Sequence, residues 1–150
     1  MKQSTIIFKS LFFMLLALCI LASASGQANA DTLQFGYDYT FSGNDPGGTS
    51  PWLTATFDDS FGDANTVRLT MSAANLVGSE SVAEWYFNFN PIYDASALTF
   101  TVVDNSASNP NSISGGNNLF KADGDGWYDI NFDFPPPPGS DSARFTAGET

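Results

Sequence analysis

From Tyr128 to Phe134 apolar and polar residues alternate without a break. Tyr128, Ile130, Phe132 and Phe134 are separated by Asp129, Asn131 and Asp133. Successive side chains of a β-strand point to opposite faces, so this run offers one face to a core and one to water only when extended. The same period returns in Leu33-Phe35-Tyr37-Tyr39-Phe41, Val67-Leu69-Met71-Ala73, Ala83-Trp85-Phe87-Phe89 and Leu98-Phe100-Val102. A further strand is predicted from Trp52 to Phe57. The runs are rich in Thr, Val, Phe, Tyr and Trp, which suit a pleated, half-buried surface. No segment carries a stripe at the 3.6-residue helical period. The expected fold class is therefore all-β, an antiparallel β-sandwich of jelly-roll-like type.

Turn chemistry punctuates the strands. Gly43-Asn44-Asp45-Pro46-Gly47-Gly48 and Asp58-Asp59-Ser60-Phe61-Gly62-Asp63 make two corners, and the Asn-, Ser- and Gly-rich stretch from Asp104 to Asn118 reads as a long surface loop. Pro135 to Pro138 cannot donate ladder hydrogen bonds and should end the preceding strand abruptly. Ala143 to Thr150 reads as the start of another strand, so the sandwich is expected to be incomplete at its C-terminus. A sandwich missing its last strands exposes an edge, which invites aggregation.

The first thirty residues follow a different logic. Lys2 and Lys9 flank a basic start, Leu11 to Ala22 is an unbroken apolar run, and Ala28-Asn29-Ala30 supplies a small-x-small cleavage site. That order predicts a secretory signal peptide over 1–30, cut between Ala30 and Asp31. The apolar run falls short of the roughly 20 residues a permanent span needs. Residues 31–150 then form the exported domain, with no membrane span, at a secreted or cell-surface location in a bacterium. Cys19 could be read as a lipoprotein site, but Leu18 fills a position that wants a small residue. As the sole cysteine it lies within the leader, which leaves the domain without a disulfide framework.

Charge excludes several partners. Removing Lys2 and Lys9 from a net charge of −11 leaves −13, with Arg68, Lys121 and Arg144 as the remaining basic residues. Nucleic acid and anionic membrane are disfavoured, since both are bound chiefly through Lys and Arg. An acidic exterior suits solubility, cation binding, or contact with neutral polymers such as polysaccharide. Histidine is absent, so Ser-His-Asp triads, Cys-His pairs and histidine-ligated zinc are excluded.

Three groups of residues could carry chemistry. The first is the loop Ala122-Asp123-Gly124-Asp125-Gly126-Trp127-Tyr128-Asp129. Calcium takes about six to eight oxygen ligands, and Asp-rich loops with glycine at the corner supply them. Asp123, Asp125 and Asp129 are its candidate ligands, in a run resembling the loops of dockerins, thrombospondin repeats and FG-GAP repeats. Lys121 stands where those loops carry another oxygen ligand, and the plain alternative is a solvated turn entering a strand. The second group is the carboxylates Asp58, Asp59, Glu80 and Glu84. Glycosidases pair two carboxylates about 5 to 9.5 Å apart, one often with a raised pKa; acidic residues at turns are otherwise ordinary, and no catalytic residue is assigned. The third is aromatic. Trp52, Tyr86 and Trp127 could stack on sugar rings, whereas Trp85 keeps the period of Phe87 and Phe89 and belongs in the core.

Five segments carry a family resemblance when read in order. They are Ser50-Pro51-Trp52-Leu53-Thr54-Ala55, Val67-Arg68-Leu69-Thr70-Met71, Trp85-Tyr86-Phe87-Asn88-Phe89-Asn90-Pro91, Phe120-Lys121-Ala122-Asp123-Gly124-Asp125-Gly126 and Arg144-Phe145-Thr146-Ala147-Gly148-Glu149. Together, from about Phe35 onward, they resemble exported bacterial proteins bearing PEP-CTERM sorting tails. The resemblance implies export, recognition of a C-terminal tail by exosortase, and a role at the cell surface, in extracellular polysaccharide or biofilm matrix. It carries no catalytic residues. The Pro-Glu-Pro signal, terminal apolar helix and basic end of that family are missing, so exosortase is an expected partner only if a tail lies beyond Thr150. The function expected is that of an extracellular-matrix-associated structural or interaction protein, stabilised by calcium, with polysaccharide or surface proteins as partners. The alternatives are a carbohydrate-binding module using Trp52, Tyr86 and Trp127, and a carboxylate-dependent glycosidase.

Overall fold

The computed structural model describes residues 31–40, 43–104, 108–122, 124–134 and 144–150. The chain divides into two units between Ala30 and Asp31, and the fold is that of the second; the expected signal segment lies outside the described residues. Among the described residues eight strands run in chain order: β1 (Thr32–Tyr37), β2 (Leu53–Asp58), β3 (Arg68–Ser72), β4 (Ser81–Val82), β5 (Glu84–Phe87), β6 (Ser112–Ala122), β7 (Gly126–Asp133) and β8 (Phe145–Thr146), with one 3-10 turn at Ala95–Ala97. Every pairing is antiparallel. Among the described residues no helix is long and apolar enough to cross a membrane.

Two three-stranded sheets, ordered β1-β2-β3 and β5-β7-β6, and a short β4-β8 ribbon make an all-β, sandwich-like fold. Tyr37, Leu53, Phe57, Leu69 and Met71 of the first sheet pack against the buried core, and Ala55 is part of it. Leu33, Phe35 and Tyr37 of β1 lie opposite Phe57, Ala55 and Leu53 of β2, and Ala55 and Phe57 lie opposite Met71 and Leu69 of β3. Contact with the second sheet is aromatic and edge-on. Phe57 meets Phe87 at 5.5 Å and Tyr37 meets Trp85 at 5.4 Å, both close to perpendicular. Edge-to-face packing lets the positive ring edge meet the negative face, and adds about 0.5–1.5 kcal/mol per pair beyond burial. Trp85, Phe87, Phe132, Phe134 and Phe145 are buried around this contact. Trp85 is thus a core residue, as its period with Phe87 and Phe89 indicated.

β1 is an edge strand, and Leu33 and Phe35 remain 55% and 48% exposed. The C-terminal segment is short but firmly attached. Phe145–Thr146 pairs with Ser81–Val82, and the Ala73 amide donates to the Glu149 carbonyl at 2.9 Å. The Glu149 carboxylate in turn accepts from Ser108 and from the Thr146 amide.

The first run is shorter than its alternation suggests, since β1 stops at Tyr37 and Tyr39 is exposed, and two further segments differ from the expected pattern. Leu98–Val102 alternates but forms no strand: it follows the 3-10 turn, and its Phe100 ring lies 6.1 Å from that of Phe132. The place beside β7 is taken by β6, which begins at Ser112, inside the stretch expected to be a loop. A main-chain ladder needs no apolar side chains, so Ser, Gly and Asn serve there. Gly115 shows why one of them must be small: a Cβ at that position would lie 2.4 Å from the Ala95 carbonyl oxygen.

Candidate functional site

The β6–β7 hairpin carries most of the candidate residues. Its turn is closed by the Asp125 amide donating to the Ala122 carbonyl at 2.8 Å, with Gly124 at φ 93° and Gly126 at φ 120°. Only glycine adopts such values without strain, which accounts for the Gly-x-Gly spacing. Beyond the turn Ala122, Lys121 and Phe120 lie opposite Gly126, Trp127 and Tyr128. The register then slips between Gly115 and Phe120, so that four residues of β6 face the single position between Tyr128 and Ile130.

That single position is Asp129. Asn118 lies within the slip and Phe89 two residues past the last β5–β7 pair, and the Asp129 carboxylate accepts from the amides of both. Its Oδ2 accepts from the Phe89 amide at 2.8 Å and its Oδ1 from the Asn118 amide at 2.7 Å. Asn118 itself adopts a left-handed φ of 47°, a value amide residues tolerate better than most. Asp129 is buried, at 9% exposure, with one oxygen committed to each flanking segment. Asp125 lies at the turn and accepts from the Tyr128 hydroxyl at 2.8 Å. Asp123 lies outside the described residues, among which no three carboxylates gather as metal ligands. The geometry of the loop therefore brings Asp125 to the surface and turns Asp129 inward to the backbone.

The irregularity has a second result. In a regular strand Tyr128 would share the face of Ile130, while Tyr86, opposite Asn131, would share the other. The rings of Tyr86 and Tyr128 nevertheless lie 5.4 Å apart, tilted by 43°. The departure from alternation falls at Asp129, where the register slips. Each phenol is fixed by a carboxylate: Tyr86 donates to Glu84 Oε2 at 2.6 Å, and Tyr128 to Asp125 Oδ2. The hydrogen bond to Asp125, then burial and the negative charge nearby, raise the Tyr128 pKa above its ordinary value, so this hydroxyl stays protonated as a donor. Two half-buried tyrosines bracketed by two exposed carboxylates make a polar aromatic surface.

The other aromatic candidates are elsewhere. Trp127, 56% exposed, is the immediate strand neighbour of Tyr128 and so projects to the opposite side. Its ring holds the Lys121 ammonium 5.7 Å from the centroid, across the hairpin. Trp52 packs against the core, and its indole N–H donates to the Gly48 carbonyl at 3.1 Å. Tyr86 therefore gains a neighbour in Tyr128, which its apolar alternation had placed in the core. The Asp125–Tyr128 contact, three residues apart in one arm of the hairpin, is local enough to be read from spacing, whereas the meeting with Tyr86 is not.

The carboxylates considered for glycosidase chemistry each have a structural partner. Asp58 accepts from the Ser60 side chain and amide and from Arg68, whose guanidinium lies at 2.8 Å. Glu80 accepts from the Gly47 amide at 2.7 Å and the Val77 amide at 2.8 Å, tying two loops together. Asp59 accepts from the Asp31 nitrogen, and Glu84 from Tyr86. Hydrogen bonds from Ser60 hold the Asp58 carboxyl below its ordinary range, and those from Gly47 and Val77 do the same for Glu80. A glycosidase acid needs the reverse shift. Compared with protein-family models, curated proteins and solved structures, the chain finds no match in any of the three.

Proposed function

We propose that the chain is an exported bacterial surface or matrix protein, of the type bearing PEP-CTERM tails, and that it acts by binding a neutral polysaccharide at Tyr86 and Tyr128. The tyrosine pair with its two carboxylates is the observation that carries this reading. A pyranose presents an apolar C–H face that stacks on an aromatic ring, while its hydroxyls both donate and accept. Glu84 and Asp125 supply acceptors at the rim, and the two phenols, already oriented by them, need little further ordering. The chain's strong negative charge repels anionic polymers and leaves neutral glycans as the compatible class. Export follows from the leader read in the first thirty residues.

Retention on immobilised neutral polysaccharides, with thermal melts to confirm folding, tests the assignment. Wild type and Trp127→Ala are expected to be retained, and Tyr86→Ala and Tyr128→Ala to be released. Loss confined to Trp127→Ala would move the site to the hairpin's other side. Absence of retention on any glycan would sink the binding reading.

A further inference from the structure

The first residue of the fold holds a pairing with a chemical consequence for maturation. Asp31 extends the β1–β2 ladder by one step. The Asp59 amide donates to the Asp31 carbonyl at 3.2 Å, and the Asp31 nitrogen donates to Asp59 Oδ1 at 2.5 Å. Asp31's own carboxylate turns back to the Thr32 amide at 2.8 Å. The adjacent Asp58 carboxylate is engaged by Ser60 and Arg68. Asp59 is thus the carboxylate that faces this nitrogen.

The expected leader ends one residue earlier, at Ala30. Cutting the Ala30–Asp31 peptide bond with water leaves a carboxylate on Ala30 and an amine on Asp31, which protonates to an α-ammonium. An amide with one proton becomes a cation with three, in a chain whose only other cations are Arg68, Lys121 and Arg144. We propose that processing after Ala30 seats the new Asp31 ammonium on the Asp59 carboxylate, so that the exported protein anchors β1 by an ion pair the precursor lacks. A charge-assisted hydrogen bond is roughly twice as strong as a neutral one. β1 has particular need of an anchor, because among the described residues it pairs with β2 alone and leaves Leu33 and Phe35 half exposed. The leader-bearing form, which must be threaded through a translocation channel, carries the looser edge strand. The exported form carries the tighter one.

This inference rests on the export part of the reading above and is independent of the tyrosine pair. The full chain with its leader is produced in a bacterial host, and the exported protein is recovered. Its intact mass identifies the first residue. An acid anhydride then labels the α-amine across a pH series; Lys121 is the only other amine left on the mature chain, and peptide masses separate the two. The exported protein is expected to begin at Asp31, with a labelling midpoint at least about half a unit above the usual 7.7–8.0 of an α-amine. At pH near 7.5 its amine should label about threefold more slowly than that of Asp59→Asn, which keeps an acceptor but no charge. About half-molar sodium chloride should lower the wild-type midpoint, a comparison that needs no substitution. A different first residue, or a chain that is not exported, overturns the premise. Equal midpoints in wild type and Asp59→Asn, or a wild-type midpoint indifferent to salt, overturn the pairing itself.

Discussion

Asp129 occupies the one point at which the second sheet loses its regular register, and its two oxygens accept the N–H groups of Phe89 and Asn118. Removing a buried acceptor leaves both donors unsatisfied, so the cost exceeds that of two ordinary hydrogen bonds. Asp129→Ala is expected to destabilise the fold by about 2–4 kcal/mol, and Asp129→Asn by less, since an amide offers one acceptor and turns its NH2 toward a donor. Urea unfolding of the three proteins measures this directly; a loss below 1 kcal/mol in the alanine variant would sink the bracing role. Glu80 tests the same principle at the surface, where pH reads it. Its folded-state pKa is depressed by the Gly47 and Val77 amides, so its contribution is present above the ordinary carboxylate range and lost as pH falls through the lowered value. Glu80→Gln should therefore melt below wild type at neutral pH, and the gap should narrow as pH falls below the ordinary carboxylate range. A gap that is constant with pH would assign the effect to packing of the side chain instead.

Among the elements, β6 shows how polar residues build a strand. Gly115 packs its bare Cα against the Ala95 carbonyl, and the Ala95 amide is held from the same strand by Asn117 Oδ1 at 2.8 Å. Gly115→Ala should cost about 1–3 kcal/mol, because neither backbone can withdraw without breaking the β6–β7 ladder. Gly124→Ala is the informative comparison: its Cβ would meet nothing within 4 Å, but the positive φ of 93° makes it strained for another reason. Thermal melts should show both variants lowered, and only Gly115→Ala should loosen amide-exchange protection along β6. The same element marks the limit of what alternation reveals. Ile130 to Phe134 and Trp85 to Phe87 were legible because one face of each strand is apolar and the core demands it. Leu98 to Val102 has that pattern too, yet alternation describes a face and not a ladder partner, and β6 already fills the edge beside β7. Ser112 to Asn118 was illegible for the converse reason, since main-chain pairing leaves no mark in side-chain polarity. The candidate site inherits this gap. Tyr86 was readable as a surface aromatic, but its meeting with Tyr128 depends on the slip at Asp129, a feature that no period-two pattern contains.

At the scale of the whole molecule, charge is the unbalanced quantity. Residues 31–150 carry −13 with three basic side chains, and among the described residues Arg68 with Asp58 forms an ion pair. Self-repulsion of this kind lowers the stability of the compact state. Sodium chloride shortens the Debye length from about 10 Å at 0.1 M to about 3 Å at 1 M, and the melting temperature should rise over that range. Calcium also screens, so a rise in calcium alone says nothing about a site. The discriminating comparison is calcium against sodium chloride at equal ionic strength, with EDTA as the reference and Asp125→Ala alongside. Asp129 spends both oxygens on backbone amides, which leaves the hairpin turn with fewer carboxylate ligands than the loop motif supplies. Calcium needs about six to eight oxygens. The two salts are therefore expected to raise the midpoint nearly alike, and any excess from the divalent ion should persist in Asp125→Ala as diffuse attraction to the acidic surface. Ligand binding to the folded state alone must raise its stability by mass action, so a calcium-specific increment abolished by Asp125→Ala would establish a metal centre at the turn. That result would also require Asp129 to release one of its amides, which loss of protection at Phe89 or Asn118 on adding calcium would reveal.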